Sequence, residues 1–236
     1  MRLDKYLLEK FNVETRSKAL RMIKNGYVQV NGKTVFKGGL QVSDDDYVEI
    51  KEDPYVSRAA WKLKTLFDAT EIDVKKKLCL DVGSSTGGFT QVLLENEAAV
   101  VVAVDVGSKQ LHPSLRKNSR VISLENVDIR KFRYPELFDV LVCDVSFISA
   151  SSLFDIFNSL VKNSGDIIVL FKPQFEVGKN CRRNKKGVII DEHCIELTQK
   201  RFETEGLKQA WSLKKFLPAQ ITGKSGNQEF IYWFKK

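Results

Sequence analysis

Runs of aliphatic and β-branched residues alternate with helix-like segments from residue 73 to the end of the chain. Segments such as VVVAVD at 100–105 and DIIVLF at 166–171 are apolar at nearly every position, which is typical of strands covered on both faces. The alternation predicts a doubly wound α/β sheet. Seven strands are predicted, at 78–82, 100–105, 120–124, 139–144, 166–172, 210–216 and 228–234, and five helices, at 57–69, 89–97, 108–117, 149–162 and 191–205.

The first predicted strand ends in a glycine- and serine-rich turn, DVGSSTGGF at 81–89. No lysine follows Gly87 and Gly88, so the turn is not a phosphate-binding P-loop, and a serine stands at 85 where the dinucleotide fingerprint has glycine. An ordinary strand-to-helix turn is the simplest alternative. The order Asp81-x-Gly83-x-Ser85-x-Gly87 resembles the acidic glycine-rich loop of S-adenosylmethionine-dependent methyltransferases, whose sheet is Rossmann-like.

Two further carboxylates follow the next two strands, in register with this loop. Asp105 lies 22 residues after Gly83, where an acidic residue binds a ribose diol, and Asp128 is placed to bind the adenine amino group. We therefore expect S-adenosylmethionine as the cofactor. The predicted cofactor-binding residues are Asp81, Gly83, Ser84, Ser85, Thr86, Gly87, Gly88, Phe89, Asp105 and Asp128.

The overall composition narrows the class of protein and of partner. The net charge of +8 and the pI near 9.2 favour a polyanionic partner. No apolar stretch is long enough to span a membrane, and the charged N-terminus is not a signal peptide, so we expect a cytoplasmic protein without membrane contact. Its cysteines are expected to be reduced. Cys181, His193 and Cys194 lack a fourth ligand and the usual spacing, so no metal site is predicted.

The charge pattern predicts a boundary near residue 53. Residues 1–40 carry nine basic and three acidic side chains, whereas residues 41–53 carry one basic and six acidic ones. Pro54 then interrupts any regular element. We predict an N-terminal domain at 1–53, a linker at 54–57 and a second domain at 58–236.

The N-terminal segment predicts two helices and a hairpin. Thr15 is a candidate N-cap, Asn25-Gly26 is a helix stop, and YVQVNGKTVF alternates around an Asn-Gly turn. The stretch TRSKALRMIKNGYVQVNGK resembles the S4 RNA-binding domain, a small α+β fold, and this resemblance implies RNA binding through shape and phosphate contacts. A solvated basic helix face is the alternative. The RNA-binding residues predicted in this domain are Arg2, Arg16, Ser17, Arg21, Lys24 and Asn31.

Charged residues also stand at the ends of the apolar strands. Asp144 ends DVLVCD, Lys172 ends DIIVLFK, and Glu229 lies at the start of EFIYWF. Each one, taken alone, is also explained by contact with solvent at the sheet edge. A charge at a buried strand end is costly unless it is paired, so together they indicate a polar site beside the cofactor loop.

These segments resemble a known family. YVSRAAWKLK, LDVGSSTGGFT, CDVSFIS, LFKPQFEVGK and GNQEFIYW are similar to the FtsJ-like ribose 2′-O-methyltransferases. An S4 domain followed by this domain resembles the TlyA family of rRNA cytidine 2′-O-methyltransferases, and the short chain ends resemble the form that modifies large-subunit (23S) rRNA alone. The resemblance implies a catalytic tetrad of Lys62, Asp144, Lys172 and Glu229, in which Lys172 is the candidate proton acceptor.

A basic loop follows Lys172, and its position favours contact with an RNA backbone over a merely solvated loop. The RNA-binding residues predicted in the second domain are Arg58, Lys179, Arg182, Arg183, Lys185 and Lys186. We expect ribosomal RNA or a ribosomal subunit as the partner. Two other classes remain open at this point: an RNA-binding protein on an inactive methyltransferase fold, and a pore-forming hemolysin. The filled tetrad argues against the first, and the absence of an export signal or membrane span against the second.

Overall fold

The computed structural model describes residues 1–13, 15–51, 55–178 and 181–236. The chain divides into two compact units, Met1–Pro54 and Tyr55–Lys236. Pro54, in the predicted linker, and the predicted RNA contact Lys179 lie outside the described residues. Val56, also in the predicted linker, donates its backbone N–H to Gln91 Oε1 over 2.9 Å. The sequence preceding the first helix of the second unit is therefore bonded to that unit.

The first unit has the predicted order of two helices and a hairpin. It contains helices α1 (Leu3–Phe11) and α2 (Arg16–Lys24) and strands β1 (Val28–Val30), β2 (Lys33–Thr34) and β3 (Val48–Ile50), arranged β2-β1-β3. Thr15 Oγ1 accepts the Lys18 N–H over 3.1 Å, as an N-cap does. Asn31 and Gly32 both have positive φ, 52° and 75°, which is the backbone that a tight two-residue hairpin turn requires. Strand β3 was not predicted.

The second unit is built on a seven-stranded sheet, and the prediction of a doubly wound α/β fold is confirmed. Its strands are β4 (Leu78–Val82), β5 (Val100–Asp105), β6 (Val121–Glu125), β7 (Phe138–Cys143), β8 (Val161–Phe171), β9 (Ser212–Pro218) and β10 (Phe230–Lys235). Their order is β6-β5-β4-β7-β8-β10-β9. The pairings among β4 to β8 are parallel, whereas β10 is antiparallel to both of its neighbours.

Helices cover both faces of this sheet. They are α3 (Ala59–Asp68), α4 (Gly88–Glu95), α5 (Pro113–Arg116), a 3-10 helix (Ala150–Leu153) that leads into α6 (Phe154–Leu160), α7 (Pro173–Glu176) and α8 (Glu192–Lys208). Alternate residues of one strand enter two cores: Leu80 and Val82 pack with Phe154, and Cys79 packs with Leu63. This double burial explains why central strands such as β4 and β5 are apolar at nearly every position.

The predicted helix at 108–117 is wrong over its first half, because only Pro113–Arg116 is helical. The carboxylate of Glu125 accepts the backbone N–H groups of Lys109, Gln110 and Leu111 at 2.7, 3.0 and 3.3 Å. These bonds hold the segment as a loop until Pro113 begins the helix, as proline at a first helical position favours.

The expectation that every cysteine is reduced is also corrected, since Cys181 and Cys194 are joined as a disulfide. Their Cα atoms lie 6.2 Å apart, within the range that a disulfide spans. Spacing in the sequence did not indicate this pair, because the bend of the basic loop brings Cys181 back to the start of α8. Cys79 and Cys143 are buried free thiols.

Candidate active site

The parallel strands bring the predicted site residues to one edge of the sheet. Asp81 is the penultimate residue of β4, and Asp105 is the last residue of β5. Asp144 directly follows β7, and Lys172 directly follows β8. Glu229 directly precedes β10, and because β10 runs antiparallel, its pairing of Phe230 with Phe171 puts Glu229 at the same edge. The prediction placed Glu229 inside a strand, but the strand begins one residue later.

The four tetrad residues form two lysine–carboxylate pairs. Lys62 Nζ lies 2.5 Å from Glu229 Oε2, and Lys172 Nζ lies 2.5 Å from Asp144 Oδ1. Lys62 and Lys172 are each 7% exposed, and Glu229 is 2% exposed. Water is therefore largely excluded, and each buried charge is offset by a partner, as burial requires.

Two polar residues that the sequence analysis did not select extend these pairs. Lys172 Nζ also donates to Ser146 Oγ over 2.9 Å and to the backbone oxygen of Asp144 over 3.4 Å. Gln174 Nε2 donates to Glu229 Oε1 over 3.2 Å. Ser146 lies two residues after Asp144, and Gln174 lies two residues after Lys172. This closeness in sequence to predicted site residues was the signal that could have identified them.

The glycine-rich loop folds tightly onto the rest of the domain. Gly83 has φ 78°, and a Cβ there would lie 3.1 Å from the backbone oxygen of Asp144. Gly87 has φ 99°, and its Cβ would contact Leu111 and Leu115, whereas a Cβ on Gly88 would contact Ser57 and Ala60. These glycines are thus explained by protein packing and backbone conformation. They were predicted from the sequence as cofactor-binding residues.

The other predicted cofactor-binding residues of the loop differ in whether their side chains are exposed to a ligand. The side chain of Phe89 packs in the core, and Ser84 is buried. Ser85 is exposed, and its backbone N–H bonds Asp105 Oδ2 over 2.8 Å. The Thr86 carbonyl accepts the His112 N–H over 3.1 Å. Only part of the predicted set therefore presents side-chain atoms to a binding space.

Asp81 is a fully buried carboxyl group with one occupied oxygen. Thr90 Oγ1 donates to Asp81 Oδ2 over 2.6 Å, and Oδ1 has no hydrogen-bond partner among the residues that the structure describes. Burial raises the pKa of the Asp81 carboxyl to about 7. A buried acceptor without a donor is costly, so this oxygen fits a cationic or N–H-bearing ligand group.

The two other predicted cofactor carboxylates are already engaged. Asp105 Oδ1 accepts the Gly107 N–H over 2.7 Å, in addition to the bond from Ser85 to Oδ2. Asp128 accepts two hydrogen bonds from Arg130 Nε, each 2.9 Å long, and the Arg130 side chain lowers the pKa of Asp128 to about 2. Both carboxylates act as hydrogen-bond acceptors, as contacts to a ribose diol or an amino group require.

The predicted RNA-binding residues of the first unit fall into two groups. The buried Asp4 carboxylate binds Arg2 Nε over 3.0 Å and Arg16 Nε over 2.8 Å, and the Arg2 hydrogen bond in particular lowers the pKa of Asp4 to about 2. Asn31, in the hairpin turn, donates to Asp46 Oδ1 and accepts the Tyr47 N–H, and so joins the turn to the segment before β3. These three residues therefore have structural tasks. The other group lies on α2 and is exposed; it consists of Ser17, Arg21 and Lys24.

In the second unit the basic loop is exposed beside the site. Arg183 Nη1 donates to the backbone oxygen of Gln174 over 3.4 Å, and Arg182 Nε lies 3.6 Å from Asp191 Oδ2. Lys185 and Lys186 are exposed, whereas Arg58, the residue before α3, is half-buried.

Comparison with known proteins settles the family. The model of the FtsJ-like methyltransferase family matches residues 55–236. The chain belongs to the FtsJ-like methyltransferase family. A second model, the S4 domain, matches residues 1–48. Both resemblances expected from the sequence are confirmed.

Individual relatives of this FtsJ-like chain match it over their whole length. The 23S rRNA (cytidine-2′-O)-methyltransferase TlyA of Campylobacter jejuni is 42% identical over 256 residues and covers 100% of both chains. The Hemolysin A of Brachyspira hyodysenteriae is 37% identical and covers 99% of each. A solved structure from Streptococcus thermophilus that carries the name hemolysin has a TM-score of 0.75 at 31% identity, covering 100% of this chain and 88% of that one.

Proposed function

We propose that the protein transfers a methyl group from S-adenosylmethionine to the 2′-hydroxyl of a cytidine in ribosomal RNA. The observation that carries the proposal is the pair of buried lysine–carboxylate contacts, Lys172–Asp144 and Lys62–Glu229, at the edge where the Asp81 loop begins. Full-length similarity to a 23S rRNA (cytidine-2′-O)-methyltransferase supports the same reaction and favours large-subunit RNA as the substrate.

The residues at the strand ends fit the proposed cofactor. Asp81 Oδ1 would accept a hydrogen bond from the methionine ammonium, Asp105 from the ribose hydroxyls and Asp128 from the adenine amine. Bound there, S-adenosylmethionine supplies a methyl group on a sulfonium, which reacts by in-line displacement. No metal ion is part of the proposal.

The tetrad would orient the ribose and take up its proton. A 2′-hydroxyl is a weak nucleophile, so alignment and removal of one proton are the main demands of the reaction. We assign the proton-accepting position to Lys172 Nζ, which requires that the amine be neutral when the hydroxyl reaches it. Asp144 and Ser146 fix that nitrogen, and Glu229 fixes Lys62.

RNA recognition would use exposed basic residues on both units. In the first unit we assign phosphate contacts to Arg21 and Lys24, and in the second to Arg182, Arg183, Lys185 and Lys186. Because its substrate would be ribosomal RNA, we place the reaction in the cytoplasm. The name hemolysin among the relatives raises membrane lysis as another activity. Within the described part of the chain, no helix is both long and apolar enough to cross a bilayer.

The proposed reaction is tested by mapping methylated nucleosides. Purified protein is incubated with S-adenosylmethionine and either ribosomal subunit or naked rRNA, and the RNA is digested and analysed by mass spectrometry. We expect one new 2′-O-methylcytidine, located in large-subunit RNA. A methyl group on a base, or no transfer to any of these RNAs, would contradict the proposal.

Reversing the charge of Arg21 and Lys24 is expected to weaken RNA binding in a salt-dependent way. Each phosphate contact that is lost should lower the slope of log affinity against log salt by roughly one unit. Arg16 is left intact, because its guanidinium neutralises the buried Asp4 and its reversal would destabilise the unit.

The slope is measured by filter binding of rRNA at several salt concentrations. The control is the double variant Lys75→Glu with Lys208→Glu, which changes the net charge by the same amount. Both lysines are exposed and lie near the amino ends of strands, at the edge of the sheet opposite the site. An equal loss of slope in this control would mean that net charge alone drives binding.

A further inference from the structure

Glu176 joins two segments of the second unit that are far apart in sequence. It lies at the end of α7, four residues after Lys172. Its Oε2 accepts hydrogen bonds from Ser149 Oγ at 2.6 Å and Ser151 Oγ at 3.2 Å, and its Oε1 accepts the Ala150 N–H at 2.6 Å. One carboxylate therefore accepts hydrogen bonds from three consecutive residues at the start of the 3-10 helix.

The hydrogen bonds to the Glu176 carboxylate offset the cost of burying its charge. Burial raises the pKa of Glu176, while hydrogen bonds from Ser149, Ala150 and Ser151 act in the opposite direction. No basic side chain pairs with it among the described residues, so the hydrogen bonds and the positive end of the 3-10 helix must offset its desolvation. Charge-assisted bonds of this kind are short and directional, so they fix position as well as contributing energy.

The two segments that Glu176 joins are those that carry the lysine–carboxylate site. The segment 144–151 begins with Asp144 and Ser146, and both of them bind Lys172 Nζ. The segment 172–176 begins with Lys172 and contains Gln174, which donates to Glu229. A shift of one segment against the other would alter the Lys172–Asp144 contact directly.

We propose that Glu176 is a positioning residue for methyl transfer. It anchors the 149–151 segment to α7 and thereby keeps Lys172 Nζ in bonding contact with Asp144 and Ser146. The inference rests on the proposed function for its kinetic consequence, whereas the positioning itself can be measured without any turnover.

The test compares Glu176→Ala with Glu176→Gln and with a matched helix-cap variant in the full-length protein. The control is Asp191→Ala, which removes a carboxylate cap of another helix: Asp191 Oδ1 accepts the Cys194 N–H over 3.1 Å at the start of α8. Both alanine variants lose a cap and are expected to lose a similar amount of stability. Only Glu176→Ala loosens the segment that carries Asp144.

The first measurement is the single-turnover rate of methyl transfer to rRNA at saturating cofactor, per folded molecule. We expect Glu176→Ala to lower it about tenfold to a hundredfold, the scale of a small misplacement of reacting groups. Glu176→Gln should recover part of the rate, because its amide oxygen can still accept the Ala150 N–H. Affinity for S-adenosylmethionine should change less than twofold, and Asp191→Ala should keep the wild-type rate.

The second measurement is the rate at which an amine-reactive acylating reagent modifies Lys172, mapped by mass spectrometry. We expect severalfold faster labelling of Lys172 in Glu176→Ala and in Ser149→Ala with Ser151→Ala, and no change in Asp191→Ala. Wild-type labelling and a wild-type rate in Glu176→Ala would overturn the inference. If the wild-type protein transfers no methyl group, the proposed function fails, and the labelling result still decides whether Glu176 holds Lys172 in place.

Discussion

Replacing Lys172 by alanine should lower methyl transfer by about two orders of magnitude or more, while both binding steps stay nearly intact. This is the usual scale for losing a positioned acid–base group. The amine is buried and bound to Asp144 and Ser146, so we expect neither the cofactor nor the RNA backbone to depend on it for affinity. Single-turnover rates on rRNA, with separate titrations of cofactor and RNA, measure the three quantities.

Lys172→Arg separates proton transfer from fixed charge. A guanidinium stays protonated and cannot accept the hydroxyl proton, so arginine should not restore the rate. Lys235→Ala is the control, because Lys235 Nζ also binds a buried carboxylate, Asp166 Oδ1 at 2.9 Å, but at the opposite edge of the sheet. A near-normal rate in the arginine variant would show that Lys172 acts as a steering charge and that the proton goes elsewhere.

Replacing Asp81 by asparagine should weaken S-adenosylmethionine binding about tenfold to a hundredfold at pH 8, the scale of a hydrogen bond to a charged group. Since the pKa of Asp81 is raised to about 7, the free wild-type protein is largely protonated below that pH. A cationic ammonium favours the ionised form, so wild-type affinity should rise with pH up to about 7 and then level off.

Calorimetry between pH 5.5 and 8.5 measures this dependence. We expect proton release on binding below pH 7 in the wild type and a flat profile in Asp81→Asn. Asp105→Ala is the comparison, because it should weaken binding while keeping the pH dependence. The sign for stability is opposite: a raised carboxyl pKa destabilises the free folded state as pH rises from about 4 to 7. A pH-independent wild-type affinity would contradict the role of Asp81.

All seven strands of the sheet were predicted from the sequence. The central strands β4, β5 and β7 are buried on both faces and leave continuous apolar runs, whereas the edge strand β9 is largely exposed. The end of each run then located Asp105, Asp144 and Lys172 at one edge. The grouping of Asp144 and Lys172 with Lys62 and Glu229 was implied by family resemblance alone. Their division into two pairs was not predicted, since nothing in the local pattern says which lysine meets which carboxylate. The individual roles of these residues stay predictions.

Features that depend on contacts through space were not predicted. Helix α7 is a single turn and leaves no periodic signal. Glu176 lies within the family-like segment LFKPQFEVGK, but that resemblance does not indicate its partners, which lie 25 to 27 residues earlier in the chain. Arg2 and Arg16 looked like RNA contacts because their charge is visible in sequence, whereas the buried Asp4 that binds them is only visible in three dimensions.

Because β10 is antiparallel to β8, the loop that precedes it lies beside the site, and the length of this loop can change without a change in the site residues. The connection from β9 to β10 lies at the edge of the sheet that carries the candidate site, and the Ala219 N–H joins its two ends by donating to the backbone oxygen of Glu229 over 2.8 Å. Residues 224–226 between them are exposed. Surface loops of this kind accept insertions readily. Relatives with different RNA targets could therefore diverge here by lengthening the loop, without moving the carboxylate that holds Lys62.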